Sequence, residues 1–145
     1  MNKMKTHKTT FTVYPSDCNY MKVGDGSPMV HGGTMLLKMD RAAAELARQY
    51  LYNTGCDSAL TVGVEEVKFL HGAKLGDYII ITVTPTGFGK KRMSFLVECH
   101  VEAWGGEKKL VASGVFSFCS FKNGQSHPHD ITTNNNSNKN KVYDV

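Results

Sequence analysis

Apolar and polar positions change rhythm along this chain, and each change marks an element. Between His31 and Tyr52 the residues Met35, Met39, Ala42, Ala43, Leu46 and Tyr50 recur every three or four positions. That spacing lays an apolar stripe along one face of a helix. The segment opens on Gly32-Gly33, and nothing breaks it before Asn53-Thr54-Gly55, where Gly55 suits a left-handed stop. About nineteen residues at 1.5 Å each predict a rod of roughly 28 Å. Every other predicted element is a strand.

Before the helix, Phe11–Tyr14 alternates briefly and predicts a short strand ended by Pro15. Ser16 to Val30 carries glycines, Pro28 and small polar residues, and reads as a loop. After Gly55 the period falls to two. Leu60, Val62 and Val64 share one face, and Val67 and Phe69 continue with the phase slipped by one. A bulge at Glu65-Glu66 produces that slip, with both acids in solvent rather than in a catalytic pair. Tyr78 to Thr84 holds three successive isoleucines, which predicts burial on both faces. Beyond a turn at Pro85–Lys91, Met93, Phe95, Val97, Cys99, Val101 and Ala103 alternate with mainly polar residues, as a half-buried antiparallel strand does. Trp104-Gly-Gly-Glu107 turns the chain, and Lys109 to Phe121 returns as the last long strand.

The predicted order is strand, long helix, four strands. Short turns imply an antiparallel meander, and a lone helix among strands must be wrapped by their sheet to bury its stripe. The fold class is therefore α+β. Residues 1–10 are expected to be flexible, 11–122 to form one domain, and 123–145 to be a disordered polar tail.

Composition narrows the function classes. The chain has 145 residues, enough for one domain with a real core, and its formal charge of +4 lacks the dense basic face of a nucleic-acid binder. Cys18, Cys56, Cys99 and Cys119 are scattered without a Cys-x-x-Cys pair, so neither a metal site nor a disulfide framework is expected. His127-Pro128-His129 in the polar tail is read as incidental. The basic start is followed by no apolar run, and no window is long enough to span a membrane. A cytoplasmic protein with free thiols is the expectation.

Three features can carry chemistry. Gly32-Gly33 sits where helix amides lack internal partners and the macrodipole is positive. Glycine lets a carbonyl oxygen approach there as it becomes an oxyanion, although a tight entry turn needs glycine equally. Asp40 lies well inside the helix beside the stripe, where it is solvated, salt-bridged, or used as a general base or nucleophile. Lys90-Lys91-Arg92 forms a basic cluster that suits the phosphates of an anionic ligand or simply solubilises a hairpin. Gly32 and Asp40 are separated by roughly 12 Å of helix axis. A carbonyl at one and a water at the other must approach to about 3 Å for attack. One helix does not serve both, whereas two antiparallel helices from two subunits do, so a catalytic role implies at least a dimer.

Pro15-Ser16-Asp17-Cys18-Asn19, then His31-Gly32-Gly33 with Asp40 eight residues beyond the first of these glycines, resembles the acyl-CoA hydrolases of the hot-dog superfamily. The resemblance is to the branch of short bacterial thioesterases and brain acyl-CoA hydrolase. Thr61-Val62-x-Val64, Val67-x-Phe69, Leu75-Gly76-Asp77, Ser94 and Val115-Phe116-Ser117-Phe118 follow in the family's order, so the similarity covers about residues 11–121. It implies a hot-dog fold, a five-stranded antiparallel sheet wrapped around one long central helix, in homodimers joined as a trimer of dimers. It implies hydrolysis of acyl-CoA thioesters to free fatty acid and CoA, with no cofactor beyond the CoA of substrate and product. Asp40 then activates water or attacks the thioester, Asn19 assists from the partner subunit, and the amides of Gly32 or Gly33 polarise the carbonyl. His31, Lys90, Lys91, Arg92 and Ser94 become substrate and CoA contacts. The chain departs from the family in a longer segment between Asn19 and His31, which brings in Asp25 as a second acid. Two other readings are a hot-dog hydratase or dehydratase, with His31 beside the acid, and a non-catalytic acyl-CoA-binding or sensing module.

Overall fold

The computed structural model describes residues 4–19, 26–102 and 105–131. Its single long helix, α1 (Gly32–Leu51), lies in the concave face of a sheet built from β1 (His7–Thr12), β4 (Ser58–Phe69), β5 (Tyr78–Phe88), β6 (Arg92–Glu102) and β7 (Lys108–Lys122). The strand order is β1-β5-β6-β7-β4, with every neighbouring pair antiparallel. Two short strands, β2 (Cys18–Asn19) and β3 (Met29–Val30), pair in front of the helix, and a last one, β8 (Gln125–Ser126), folds back on β7. This is the hot-dog arrangement implied above. Among the described residues no helix is long and apolar enough to cross a membrane.

The helix stripe buries as its spacing requires: Met35, Met39, Ala42, Ala43, Leu46, Ala47 and Leu51 all face the sheet. They meet Ile79, Ile81 and Val83 of β5, Phe95 and Val97 of β6, and Phe116 and Phe118 of β7. Ile80, between two core isoleucines, is buried too, but Tyr78, Thr84 and Thr86 on the same face are exposed, so the expected burial of β5 on both faces holds at the isoleucines alone. Phe95 packs among three aromatic rings, with centroids 5.9 Å from Phe118, 6.3 Å from Tyr50 and 6.4 Å from Phe88. Phe95→Ala is expected to cost about 3–5 kcal/mol of stability, because the helix cannot settle into the hole. Urea unfolding followed by far-UV dichroism measures it.

Four boundaries differ from the sequence reading. The first strand begins at His7, within the stretch expected to be flexible, and pairs with β5 from His7↔Val83 to Thr12↔Tyr78. Its Lys8 and Thr10 are exposed, as suits an edge strand, and that polarity hid it. The stretch 16–30 contains a 3-10 turn (Pro15–Asp17) and the β2/β3 pair rather than loop alone. Strand β4 slips twice, between Thr61 and Gly63 and between Glu65 and Lys68, with Glu66 at φ 52°. The second slip is the one expected; the first parts Leu60, paired with Cys119, from Val64, paired with Phe116. Finally, residues 123–131 of the expected tail are docked. Asn123-Gly124, at φ 53° and 77°, turns β7 into β8, and His129 is 2% exposed. The tail beyond 131, Asp25 and Trp104 lie outside the described residues.

Candidate active site

The helix mouth is held from three sides. The Asp17 carboxylate takes the Tyr14 amide (2.9 Å) and its carbonyl takes the His31 amide (2.9 Å), so the Pro-x-Asp-x-Asn turn is tied to the helix entry. β2 then pairs with β3 as Cys18↔Val30 and Asn19↔Met29. On the other side the Val30 amide donates to Ala73 (2.8 Å) and the Leu75 amide to Pro28 (3.1 Å). The segment running into His31 is thus pinned between two loops, and Asn19 is anchored at the mouth.

His31 is the N-cap. Its Nδ1 accepts from the Gly33 amide at 3.1 Å, and its carbonyl accepts from Met35. Capping is usually done by a hydroxyl, carboxylate or carboxamide, so this use of His31 carries no signal in the residue type. It divides the two glycines. The Gly33 amide is committed, while among the described residues the Gly32 amide has no protein acceptor. A Cβ on Gly32 would stand 3.8 Å from the Phe69 ring. Beside it opens a cavity of about 310 Å³ lined by Val30, Gly32, Met35, Phe69, Leu70, His71, Gly72, Ala73 and Val111. Its wall is mixed, apolar side chains interleaved with polar and backbone groups, and Gly32 belongs to that wall.

Asp40 sits farther along the helix, partly buried rather than sealed in the core. Thr61 of β4 donates its hydroxyl to Oδ1 at 2.5 Å. Among the described residues the only ion pair is Arg48–Glu45, so no cation neutralises Asp40. Thr61 was not expected at the site. The hint was a small hydroxyl in the strand that flanks the helix, but its facing depended on the bulge at Val62. Thr61→Val is expected to lower any activity that depends on Asp40 by between about tenfold and a hundredfold, since one hydrogen bond to a charged group is worth about 1.5–3 kcal/mol. Initial rates with wild type and variant check it.

Asp40 and Thr61 lie on an uncovered flank. Strand β4 is one of the two edges of the sheet, and on its helix-facing side Val64 (43% exposed) and Phe69 (53%), with Leu37 of the helix (47%), are apolar side chains left in water. Apolar side chains exposed along an unpaired sheet edge suit a surface that another protein covers.

The remaining predicted residues are elsewhere in the chain. Tyr50, near the helix C-terminus, packs on Phe88 at 4.9 Å, and Phe88 leads directly into the Gly89–Lys91 turn. Lys90, Lys91 and Arg92 are therefore at the opposite end of the helix from Gly32. Ser94 alternates with core residues Met93 and Phe95, is 6% exposed, and takes a hydrogen bond from Thr86 at 3.0 Å. One chain brings Asn19, His31, Gly32 and Gly33 together, but not Asp40 or the basic cluster. Nor is a cysteine a ready nucleophile in the core: burial pushes the Cys99 thiol up to about 12.

Residues 28–106, more than half of the chain, match the family model described as the thioesterase superfamily. No curated protein matches the sequence. Among solved structures, an acyl-CoA hydrolase from Staphylococcus aureus bound to butyryl coenzyme A, coenzyme A and coenzyme A disulfide aligns with a TM-score of 0.72 at 20% identity, covering 85% of this chain and 69% of that one. That hydrolase was also solved with an asparagine, an aspartate or a threonine replaced by alanine. A hexameric thioesterase from Yersinia pestis aligns at 0.71 and 19% identity, covering 88% and 97% of the two chains. A hexameric broad-specificity acyl-coenzyme A thioesterase aligns at 0.72 and 24% identity, covering 92% and 87%. At these identities the likenesses establish the fold.

Proposed function

The chain belongs to the thioesterase superfamily, and from that premise we propose that it hydrolyses acyl-CoA thioesters at sites shared between two subunits. The observation that carries this reading is Asp40, a carboxylate without a cation, held by Thr61 on the uncovered flank of helix and edge strand. Its distance from the Gly32 amide along the helix is too great for one substrate carbonyl. Two chains meeting along β4 with helices antiparallel remove the difficulty, because each mouth then faces the other chain's acid. The apolar side chains exposed along β4 and Leu37 support such a pairing. The residue types replaced in the Staphylococcus aureus hydrolase recur here as Asn19, Asp40 and Thr61.

In the proposed reaction the acyl group enters the cavity beside Gly32 and the thioester carbonyl oxygen accepts from the Gly32 amide. Asp40 of the partner subunit takes a proton from water, and the water oxygen attacks the carbonyl carbon. The tetrahedral oxyanion is stabilised by the helix mouth, then collapses with cleavage of the C–S bond. The thiolate leaves and takes up the proton from Asp40, giving free acid and CoA. Asn19, anchored beside the mouth, helps orient the water. Lys90, Lys91 and Arg92 supply charge for the phosphates of CoA, with Ser94 nearby, and His31 shapes the mouth. Dimers assembling into hexamers, a role in fatty-acid metabolism and a cytoplasmic location complete the proposal. Thiol release from a panel of acyl-CoA esters tests it: hydrolysis is the expected result. Binding without turnover would leave an acyl-CoA sensor, and hydration of an enoyl-CoA instead would leave a hydratase.

A further inference from the structure

The carbonyls of three consecutive basic residues are all engaged from outside their strand. Lys90 O accepts from the His129 amide (3.2 Å), and Lys91 O from the amide of Ser120 (2.8 Å), whose hydroxyl donates to His127 O (2.5 Å). Arg92 O accepts from the Gly89 amide (2.8 Å) and lies 3.0 Å from Nε2 of His129. Nδ1 of His129 accepts from the Ile131 amide at 3.0 Å, so the ring is neutral, with Nε2–H donating to Arg92. That ring is buried and packs edge-to-face with Phe88, centroids 6.1 Å apart. The Lys91 ammonium donates to Ser126 at 3.2 Å. Fixing each residue of the polar segment 125–131 costs about 1–2 kcal/mol of backbone entropy, and Ile131 is its one aliphatic side chain packed against the core. The segment is nonetheless stitched to one turn, the one carrying the basic cluster.

We propose that residues 125–131 form a strap that pre-sets the Lys90–Arg92 turn for the phosphates of a CoA ester, with His129 as its positioning residue. The proposal rests on the acyl-CoA reading above. Lysines on a loose hairpin lose side-chain and backbone freedom when they grip an anion, and a turn ordered beforehand has less to lose. Helix α1 runs eleven residues past Asp40 to Leu51, about 16 Å at 1.5 Å per residue. The turn therefore stands well away from the reacting carbon, at a remove suited to a group on the far end of the pantetheine arm. A strap that merely sealed the core would affect every substrate alike. A strap that sets the turn discriminates between an ester with phosphates and one without.

Steady-state kinetics with an acyl-CoA and the matching acyl-pantetheine, which lacks the phosphates, separate the two roles. His129→Ala is expected to raise KM for the CoA ester about tenfold, equivalent to about 1.4 kcal/mol, with kcat and the pantetheine ester nearly unchanged. His129→Gln retains an N–H for Arg92 O and should recover most of the loss. Ser126→Ala, at an exposed position, should give a smaller shift of the same selectivity, and decides the matter if His129→Ala fails to fold. Equal losses on both esters, or an unmoved KM for the CoA ester, would overturn the proposal. Wild type that cleaves neither ester would sink the hydrolase reading instead. The strap would then be judged by calorimetry with CoA: weaker binding to His129→Ala upholds it, and equal binding overturns it.

Discussion

Asp40→Ala is expected to lower acyl-CoA hydrolysis by between about a hundredfold and ten-thousandfold, the range spanned by general acid–base catalysis. The fold should survive, because Asp40 is only partly buried, its one partner is the Thr61 hydroxyl, and alanine is the best helix former. The loss should fall on kcat, since the carboxylate acts on water rather than on the bound ester. Asp40→Asn is the sharper variant. It keeps shape and an oxygen for Thr61 but removes the base, so its rate should be close to that of Asp40→Ala. A thiol-release assay at saturating substrate, with far-UV dichroism as a control for folding, measures both. Rates equal to wild type would remove Asp40 from the reaction.

Val64→Asp carries the second large expectation. In the single chain Val64 is exposed on the open flank, and a charge there costs the monomer less than about 0.5 kcal/mol. Between two subunits the same carboxylate loses its water and meets its symmetry copy, a penalty of several kcal/mol. Sedimentation should show the dimer giving way to folded monomers. Hydrolysis should fall as far as in Asp40→Ala, because each site then has a mouth or an acid but not both. Monomers that cleave substrate at the wild-type rate would contradict a shared site.

Much of this architecture is visible in the residues themselves. The helix stripe from Met35 to Leu46 and the isoleucines of β5 bury as patterned, because a three-to-four repeat or a triple apolar run has one way to leave water. The sequence was weaker where polarity and local chemistry compete. Strand β1 extends back to His7 because an edge strand needs only one apolar face. Asn123-Gly124 is a strong two-residue hairpin signal. It was obscured by the polar run around it, and with it went the docking of His129. The candidate site divides along the same line. Gly32, Gly33 and Asp40 stand out as residue types in unusual places, whereas Thr61 depends on a register shift at Val62 that only the pairing with β7 reveals. That the Gly33 amide is used by His31 and the Gly32 amide is not could not be read from two adjacent glycines.

Subunit complementation tests the shared site most directly. Asp40→Ala and Asn19→Ala proteins, each nearly inactive alone, are mixed in equal amounts, dissociated and reassociated. If each site draws its mouth and Asn19 from one chain and its acid from the other, a mixed dimer has one doubly damaged site and one intact site. Half the dimers are then mixed, and the mixture should recover about a quarter of wild-type hydrolysis. A mixture no more active than its two components, with mixed dimers shown to be present, would mean that each chain works alone and the account is wrong.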